Sequence, residues 1–279
     1  MSDYSNTKKR IFAKASSTYY ATSLFFPKSF QESVFCLYAF VRTADDYVDA
    51  VVPDRAGFFA FKQQTESAWG GVMTGNHIVD DFVALARKCG FEKTWIDAFL
   101  QSMEDDLAVK SYPTFADLER YIFGSADVIG YMMAALMKLP KETYVFAGAL
   151  GKAMQIINFI RDIREDLALG RVYMPQEDMR QFGLSQISEP PHDEEYRKSF
   201  EALIRFEIAR YREVLSEATR GFHSIPYRLR IPIVTASNLY AWVAGRIDDE
   251  PNIMWKKGKV RPSRYRVLYE IIRASLLRQ

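Results

Sequence analysis

Cysteine, net charge and long apolar runs are all scarce in this sequence. Its 279 residues include only 2 cysteines, Cys36 and Cys89, and neither has the paired spacing of a zinc or redox site. We therefore expect both to be buried free thiols. The formal net charge is only +2, which argues against nucleic acid as the main partner.

Signals for secretion and membrane insertion are also lacking. Residues 1–10 have no apolar core of a signal peptide, and no later stretch approaches the roughly 20 apolar residues that span a bilayer. We therefore expect a cytoplasmic protein. With 48% apolar and 26% charged residues, no linker and no solenoid repeat, the chain fits one globular domain over residues 1–279.

Helical periodicity is the strongest pattern in the sequence. Apolar residues recur at spacings of three and four rather than two, which predicts an all-α fold, a single helical bundle. The expected helices end near Ala50, Gly90 and Lys110, start at Thr114, and cover about 141–169, 194–219 and 226–247. Small residues at 124–126 leave room for another group to approach closely.

A first pair of carboxylates, Asp45 and Asp49, lies near the end of the helix that follows Pro27. Residues four apart on a helix face the same way, so this pair shares a face with Tyr38 and Arg42. Asp46 is turned aside from that face. The spacing predicts two carboxylates that act together.

A second pair, Asp162 and Asp166, repeats this arrangement later in the chain. Gln155 and Asn158 share its face, and Glu165 lies at the edge. Hard cations such as Mg²⁺ take one or two carboxylates each and fill their remaining positions with water and phosphate oxygens. Two facing pairs can therefore hold several Mg²⁺ ions against a diphosphate and make it a leaving group.

Arginines near both pairs fit the same chemistry. Arg42, Arg161 and Arg171 can each add bidentate contacts to phosphate oxygens. The ordinary alternative is a solvated acidic face, which is our interpretation of 80–81, 104–106 and 248–250. The two chosen pairs differ because each follows several heavily apolar turns, where unpaired carboxylates are costly to bury.

Five segments of the sequence resemble the squalene and phytoene synthase family of head-to-head prenyl transferases. Residues 38–49 and 155–175, the latter reading QIINFIRDIREDLALGRVYMP, are similar to its two aspartate-rich motifs. The other matching segments are 16–20, 121–130 (YIFGSADVIG), and Tyr240 with 259–261. The resemblance covers nearly the whole chain in the family's order.

This resemblance implies an isoprenoid-synthase fold with a central substrate cavity, Mg²⁺ (or Mn²⁺ in its place), and two prenyl diphosphate substrates. One allylic diphosphate ionises, the double bond of the other captures the cation, and the resulting cyclopropyl diphosphate ionises in turn. The final cation loses a proton or takes hydride from NADPH, so NADPH is needed only for a squalene product. No obligate protein partner is implied.

Site roles follow from the same resemblance. The implied metal ligands are Asp45, Asp49, Asn158, Asp162 and Asp166. The implied diphosphate contacts are Thr18, Tyr38, Arg42, Gln155, Arg161, Arg171, Tyr240 and Lys259, while Tyr121, Arg171 and Tyr173 line or close the site. Catalytic roles fall to Arg42, Tyr121, Tyr173 and the four aspartates.

The sequence departs from the family pattern at two points and leaves the product open. Ala15 stands where some members have histidine, and Lys259 where many have arginine. Ser23 and Ala126, small residues expected beside the tail pocket, favour two C20 substrates and phytoene, with C15 substrates and dehydrosqualene or squalene as the alternative.

Two rival functions remain. A terpene cyclase shares the fold and first acidic motif, but its second motif usually pairs Asn and Asp with Ser or Thr and then Glu, unlike residues 158–166. A non-catalytic helical assembly factor tends to lose the carboxylates, all of which are present here.

The last 25 residues are strongly basic, with Glu270 as their single acid. Val267, Leu268, Ile271, Ile272 and Leu276 recur at helical spacing within them. Two interpretations stay open: a helix that binds a membrane surface peripherally, and a last bundle helix with a solvated basic face.

Overall fold

The computed structural model describes residues 22–187, 193–256 and 258–276. Every regular element within these ranges is a helix, and the one isolated bridge there pairs Ser111 with Val172 in parallel. The all-α prediction is therefore confirmed. None of the described helices is both long and apolar enough to cross a bilayer.

The α-helices form two groups along the chain. The first group is α1 Lys28–Val48, α2 Arg55–Trp69, α3 His77–Cys89, α4 Lys93–Asp105, α5 Phe115–Ile122 and α6 Val128–Leu136. The second group is α7 Tyr144–Arg161, α8 Ile163–Ala168, α9 Gln176–Gln181, α10 Glu194–Thr219, α11 Tyr227–Asp249 and α12 Arg264–Leu276. A π-helical segment, Phe123–Asp127, joins α5 to α6.

Local signals set several of these boundaries. The Thr114 hydroxyl accepts from the backbone of Asp117 while the Asp117 carboxylate accepts from Thr114, so α5 begins with a capping box. Gly90 ends α3 in the left-handed region with φ 72°. The expected helix end near Gly90 is confirmed by α3, and α2 is a further helix that the glycine-containing turn after Trp69 separates from α3.

The expected long helix over 141–169 is also divided. Asp162 separates α7 from α8 with φ −103° and ψ 13°, outside the helical region. Hydrogen bonding continues on both sides, since the Asp162 N–H donates to Asn158 O at 2.8 Å and its carbonyl accepts from Asp166 N at 2.9 Å. The second acidic motif therefore lies across a bend rather than on one straight face.

Two large apolar cores lie on either side of the fold. One involves α1 to α4 and α6, where Phe40 and Phe82 stack with ring centroids 3.7 Å apart. The other joins α5, α7, α10 and α11. Cys36 is buried in the first core as expected, but Cys89 is only half-buried.

Glycines allow α7 to approach α6 and the π-helical segment closely. A Cβ added at Gly130 of α6 would lie 2.1 Å from the backbone oxygen of Ala147, and one at Gly151 of α7 would lie 2.3 Å from that of Ala126. The patch at 124–126 takes part as well, because a Cβ at Gly124 would lie 2.3 Å from Ala98 O on α4. The expected close approach is thus made by neighbouring helix backbones.

We predict that Gly130→Ala lowers the free energy of unfolding by about 1–3 kcal/mol, because backbone atoms cannot move aside for the new methyl group. Gly245→Ala is the matched control, since Gly245 is also inside a helix but has nothing within 4 Å of its would-be Cβ. The control should gain about 0.5–1 kcal/mol from helix propensity. Urea unfolding followed by circular dichroism measures both changes, and shifts of the same sign would contradict the packing argument.

Candidate active site

A polar cavity of about 330 Å³ lies between α1, the α7–α8 bend and α11. Every predicted site residue in the described part of the chain lines it: Tyr38, Arg42, Asp45, Asp49, Tyr121, Gln155, Asn158, Arg161, Asp162, Asp166, Arg171, Tyr173, Tyr240 and Lys259. Thr18 falls outside the described residues. The sequence pattern therefore selected side chains that the fold brings to one place, while their individual roles stay predictions.

The first acidic pair faces this cavity from the C-terminal end of α1. Arg42 bonds Asp45 at 2.5 Å and also pairs with the more exposed Asp46 at 2.7 Å, which is turned aside as expected. Burial raises the pKa of Asp45 to about 7 against the opposing charge of Arg42, and the carboxylate of Asp49 raises it further. A cation in the cavity would favour the ionised form of this carboxyl.

The second acidic pair faces the cavity from the bend between α7 and α8. Arg161 holds Asp162 with two hydrogen bonds of 2.8 and 2.6 Å, and Lys259 approaches the same carboxylate at 3.1 Å. Burial opposes ionisation of Asp162, but these two cations outweigh it and lower its pKa. Burial raises the pKa of Asp166 to about 8, and the charges of Asp162 and Asp49 add to that effect.

Arg171 connects the two sides of the cavity. Its guanidinium is 5% exposed and donates to Val48 O at 2.7 Å, to Asp106 O at 3.3 Å and to the Asp49 carboxylate at 3.2 Å. The segment that carries it is fixed by a backbone bond from Val172 N to Lys110 O of 2.8 Å. Arg171 thus joins the end of α1 to the turns after α4 and α8.

Asp106 is a cavity residue that the sequence interpretation missed. A solvated face was expected for residues 104–106, but Asp106 is 3% exposed and accepts from the hydroxyls of Tyr121 at 2.8 Å and Tyr173 at 2.7 Å. Burial raises its pKa to about 6 despite the nearby charge of Arg171. The helical period that buries Phe99 could have revealed it, because Asp106 follows seven residues later on the same face.

Aromatic rings form the wall beside Asp106. The ring of Tyr173 stacks on Phe159 with centroids 4.2 Å apart and an interplanar angle of 11°, and it lies 5.5 Å from the ring of Tyr121. Tyr112 lies behind this pair, 5.5 Å from Tyr121. Such faces and phenol oxygens carry partial negative charge, so this wall can stabilise a transient cation.

A second, apolar cavity of about 270 Å³ meets the polar one. Tyr38, Gln155 and Asn158 line both, so they mark the junction. Ser23 and Ala126, which were expected beside a tail pocket, both line the apolar cavity. A ligand with a charged head and a long apolar tail would have a matching environment at each end.

The donor set of the polar cavity fits a hard divalent cation. Carboxylate oxygens from both acidic pairs face it, and the buried amide oxygen of Asn158 has no hydrogen-bond partner. Among the described residues, no group of three His, Cys, Asp or Glu side chains is arranged to hold a metal ion by itself. Mg²⁺ sites usually take one or two carboxylates and complete the shell with water and substrate phosphate, which is the arrangement these donors suit.

Comparison with known proteins assigns the family. The family model for squalene/phytoene synthases matches residues 12–266. A 15-cis-phytoene synthase from Synechocystis is 26% identical over 94% of this chain and 81% of its own, and a phytoene synthase from Cereibacter sphaeroides is 28% identical over 86% and 70%. The crystal structure of a dehydrosqualene synthase superposes with a TM-score of 0.84 at 25% identity, covering 98% of this chain and 95% of that one. The chain therefore belongs to the squalene/phytoene synthase family of prenyl transferases.

Proposed function

We propose that this enzyme joins two geranylgeranyl diphosphates head to head, through a cyclopropyl diphosphate, to give phytoene. The observation that carries the proposal is the junction of the two cavities, where a polar chamber with two acidic pairs opens onto an apolar one. The alternative is condensation of two farnesyl diphosphates to dehydrosqualene or squalene. The named phytoene synthases among its relatives favour the first, and the dehydrosqualene synthase neighbour fits the second.

The charges of the polar cavity indicate how it would hold the diphosphates. Its acidic lining residues are Asp45, Asp49, Asp106, Asp162 and Asp166, and its basic ones are Arg42, Arg161, Arg171, Lys259 and Arg261. When all five carboxylates are ionised, as a bound cation would favour, the two sets balance and the lining itself offers little net attraction to a diphosphate. Arg261, which belongs to the segment that resembles the family's C-terminal motif, is a further cation that could contact phosphate.

Magnesium would supply the missing positive charge. Asp45, Asp49, Asn158, Asp162 and Asp166 are the residues that would hold it. When bound, Mg²⁺ neutralises the diphosphate and makes it a better leaving group. Arg42 and Arg161 would orient the diphosphate. Aromatic faces such as that of Phe159 would surround the carbocation that forms when the diphosphate leaves.

The apolar cavity would hold the prenyl tails. Each buried CH₂ contributes about 0.8 kcal/mol, so tail burial would dominate ground-state binding. Small side chains at Ser23 and Ala126 leave space along this cavity, which favours the longer C20 chains.

We expect purified enzyme with Mg²⁺ to convert geranylgeranyl diphosphate into a C40 hydrocarbon without NADPH. The measurement is mass analysis of the extracted product after incubation with C15 or C20 diphosphates, with and without NADPH. Chelation by EDTA should stop turnover, and added Mg²⁺ or Mn²⁺ should restore it. Conversion of farnesyl diphosphate alone would show that the phytoene assignment is wrong.

Asp45→Asn and Asp162→Asn should each lower turnover at least about a hundredfold, because loss of a metal ligand removes several kcal/mol of leaving-group stabilisation. Asp46→Asn is the matched control, since Asp46 is adjacent, makes an ion pair with Arg42 and does not line the cavity. We expect it to retain near-normal activity. Circular dichroism checks that all three variants fold, and full activity in both cavity variants would refute the metal assignment.

We further propose that α12 binds the surface of an anionic membrane. Five large residues on one face of this helix are exposed: Tyr265, Leu268, Tyr269, Ile272 and Leu276. The last four follow Tyr265 by three, four, seven and eleven residues. Because each residue of an α-helix turns by about 100°, these positions form one stripe along the helix.

The opposite face of α12 is held against α11. Ile271 and Glu270 are buried there, and the Glu270 carboxylate accepts from Asn238 Nδ2 at 3.0 Å and pairs with Arg266 at 2.7 Å. One face of α12 therefore packs on the bundle, as expected for a last bundle helix. The other face is exposed, as binding to a membrane surface requires. By the same helical geometry, Arg266 and Arg273, which share the single Glu270 carboxylate, flank the apolar stripe on one side, and the exposed Arg264 flanks it on the other. The net positive charge of this rim suits anionic headgroups.

We predict that Leu268→Gln with Ile272→Gln lowers binding to phosphatidylserine-containing vesicles at least about tenfold, because two side chains lose burial in the acyl boundary. Vesicle flotation measures the bound fraction. Val145→Gln on α7 is the control, because Val145 is 56% exposed but lies outside the stripe. Equal loss in control and test variants, or no flotation of the intact chain, would contradict a membrane role for this surface.

A further inference from the structure

Asp106 accepts two hydrogen bonds that the proposed function leaves unexplained. Tyr121 Oη donates to one carboxylate oxygen at 2.8 Å, and Tyr173 Oη donates to the other at 2.7 Å. All three side chains are nearly inaccessible to bulk water and all three line the polar cavity. A buried carboxylate in contact with two phenols is expensive to desolvate, which suggests more than a packing role.

The direction of these bonds fixes what the tyrosines can do. An ionised carboxylate only accepts, so both hydroxyl hydrogens point at Asp106 and away from the substrate space. The remaining lone pairs of the two phenol oxygens are then available to the cavity. Each tyrosine oxygen is thereby arranged as an acceptor of positive charge or of a proton, with Asp106 behind it.

The geometry points to Asp106 as a positioning residue that, through Tyr121 and Tyr173, receives the proton released by the last carbocation. This inference rests on the proposed function, because only the non-reductive product requires that proton to leave. Asp106 does not touch the hydrocarbon. It acts through the two phenols.

The step balances as a two-proton shift. The C–H bond next to the cationic carbon breaks, and its electron pair becomes the new C=C bond of the triene. The released proton goes to a tyrosine oxygen while that tyrosine's own hydroxyl proton moves to the Asp106 carboxylate. The cation and the carboxylate become a neutral alkene and a neutral carboxylic acid, and no oxidant or reductant is needed.

The surroundings of Asp106 support this role. Burial raises its pKa to about 6, which makes it a stronger proton acceptor than a surface carboxylate yet leaves it mostly ionised at neutral pH. The charged and titratable groups that act on it are Arg171, Tyr173, Tyr121 and Asp49. Asp45 and Tyr112 also feel its charge. Arg171 opposes the increase in pKa, so Asp106 can lose its proton again before the next turnover.

The decisive measurement is a product ratio. The enzyme is incubated with the isolated C40 cyclopropyl diphosphate and Mg²⁺. The ratio is the amount of triene formed divided by the amount of diphosphate released. In Asp106→Asn we expect this ratio to fall at least about tenfold, with the rest of the carbon recovered as alcohols from capture by water. The ratio counts only molecules that have ionised, so a smaller folded fraction or weaker binding would not change it.

Two further variants make the outcome specific. Tyr121→Phe with Tyr173→Phe keeps the carboxylate but removes the proton path, so its ratio should fall as in Asp106→Asn. Asp105→Asn is the matched control, because Asp105 is one residue away, accepts from Gln101 at 3.0 Å and does not line the cavity. Its ratio should match that of the unmodified enzyme.

Two results would overturn the inference. An unchanged ratio in Asp106→Asn would place the released proton on another acceptor. A decrease in Asp106→Asn with no decrease in the double phenylalanine variant would rule out transfer through the tyrosines. Failure of the unmodified enzyme to give any C40 hydrocarbon is a separate result, which would contradict the proposed function itself.

Discussion

One buried guanidinium, that of Arg171, holds the active site together. It is almost fully excluded from solvent, so it needs acceptors, and it finds them at the last carbonyl of α1, at the Asp106 carbonyl and at the Asp49 carboxylate. These three groups come from separate parts of the chain. This common donor therefore ties the end of α1, which carries the first acidic pair, to the turns after α4 and α8.

Local geometry explains how much of the site could be predicted from the sequence. The spacing of Asp45 and Asp49 predicts a shared helical face; α1 ends at Val48, but the Asp49 N–H still donates to Asp45 O at 2.8 Å and both side chains line the cavity. The bend at Asp162 could not be predicted in this way, because the periodicity of 141–169 continues through it. Asp106 was misjudged for a related reason: the hydroxyl groups that bond it belong to Tyr121 and Tyr173, which are distant in sequence.

The packing partners of the small residues at 124–126 could not be predicted from the sequence either. The sequence indicated that 124–126 leave space, but it could not say what fills that space. In the structure Gly124 faces the backbone of α4, and Ala126 both contacts Gly151 of α7 and lines the apolar cavity. The π-helical turn that contains these residues presents them to both partners at once, and π-turns of this kind often occur at functional sites.

The order of residues along α1 and α7 specifies how a ligand would lie. On α1, Leu37 lines the apolar cavity, Tyr38 lines both cavities, and Asp45 lines the polar one. On α7 the same order runs from Met154 through Asn158 towards Asp162. Both helices therefore end at the polar cavity, where their C-terminal dipoles carry partial negative charge and favour cations. Helix direction and carboxylate position thus favour the same arrangement, with metal and phosphate at the helix ends and the tail along the preceding turns.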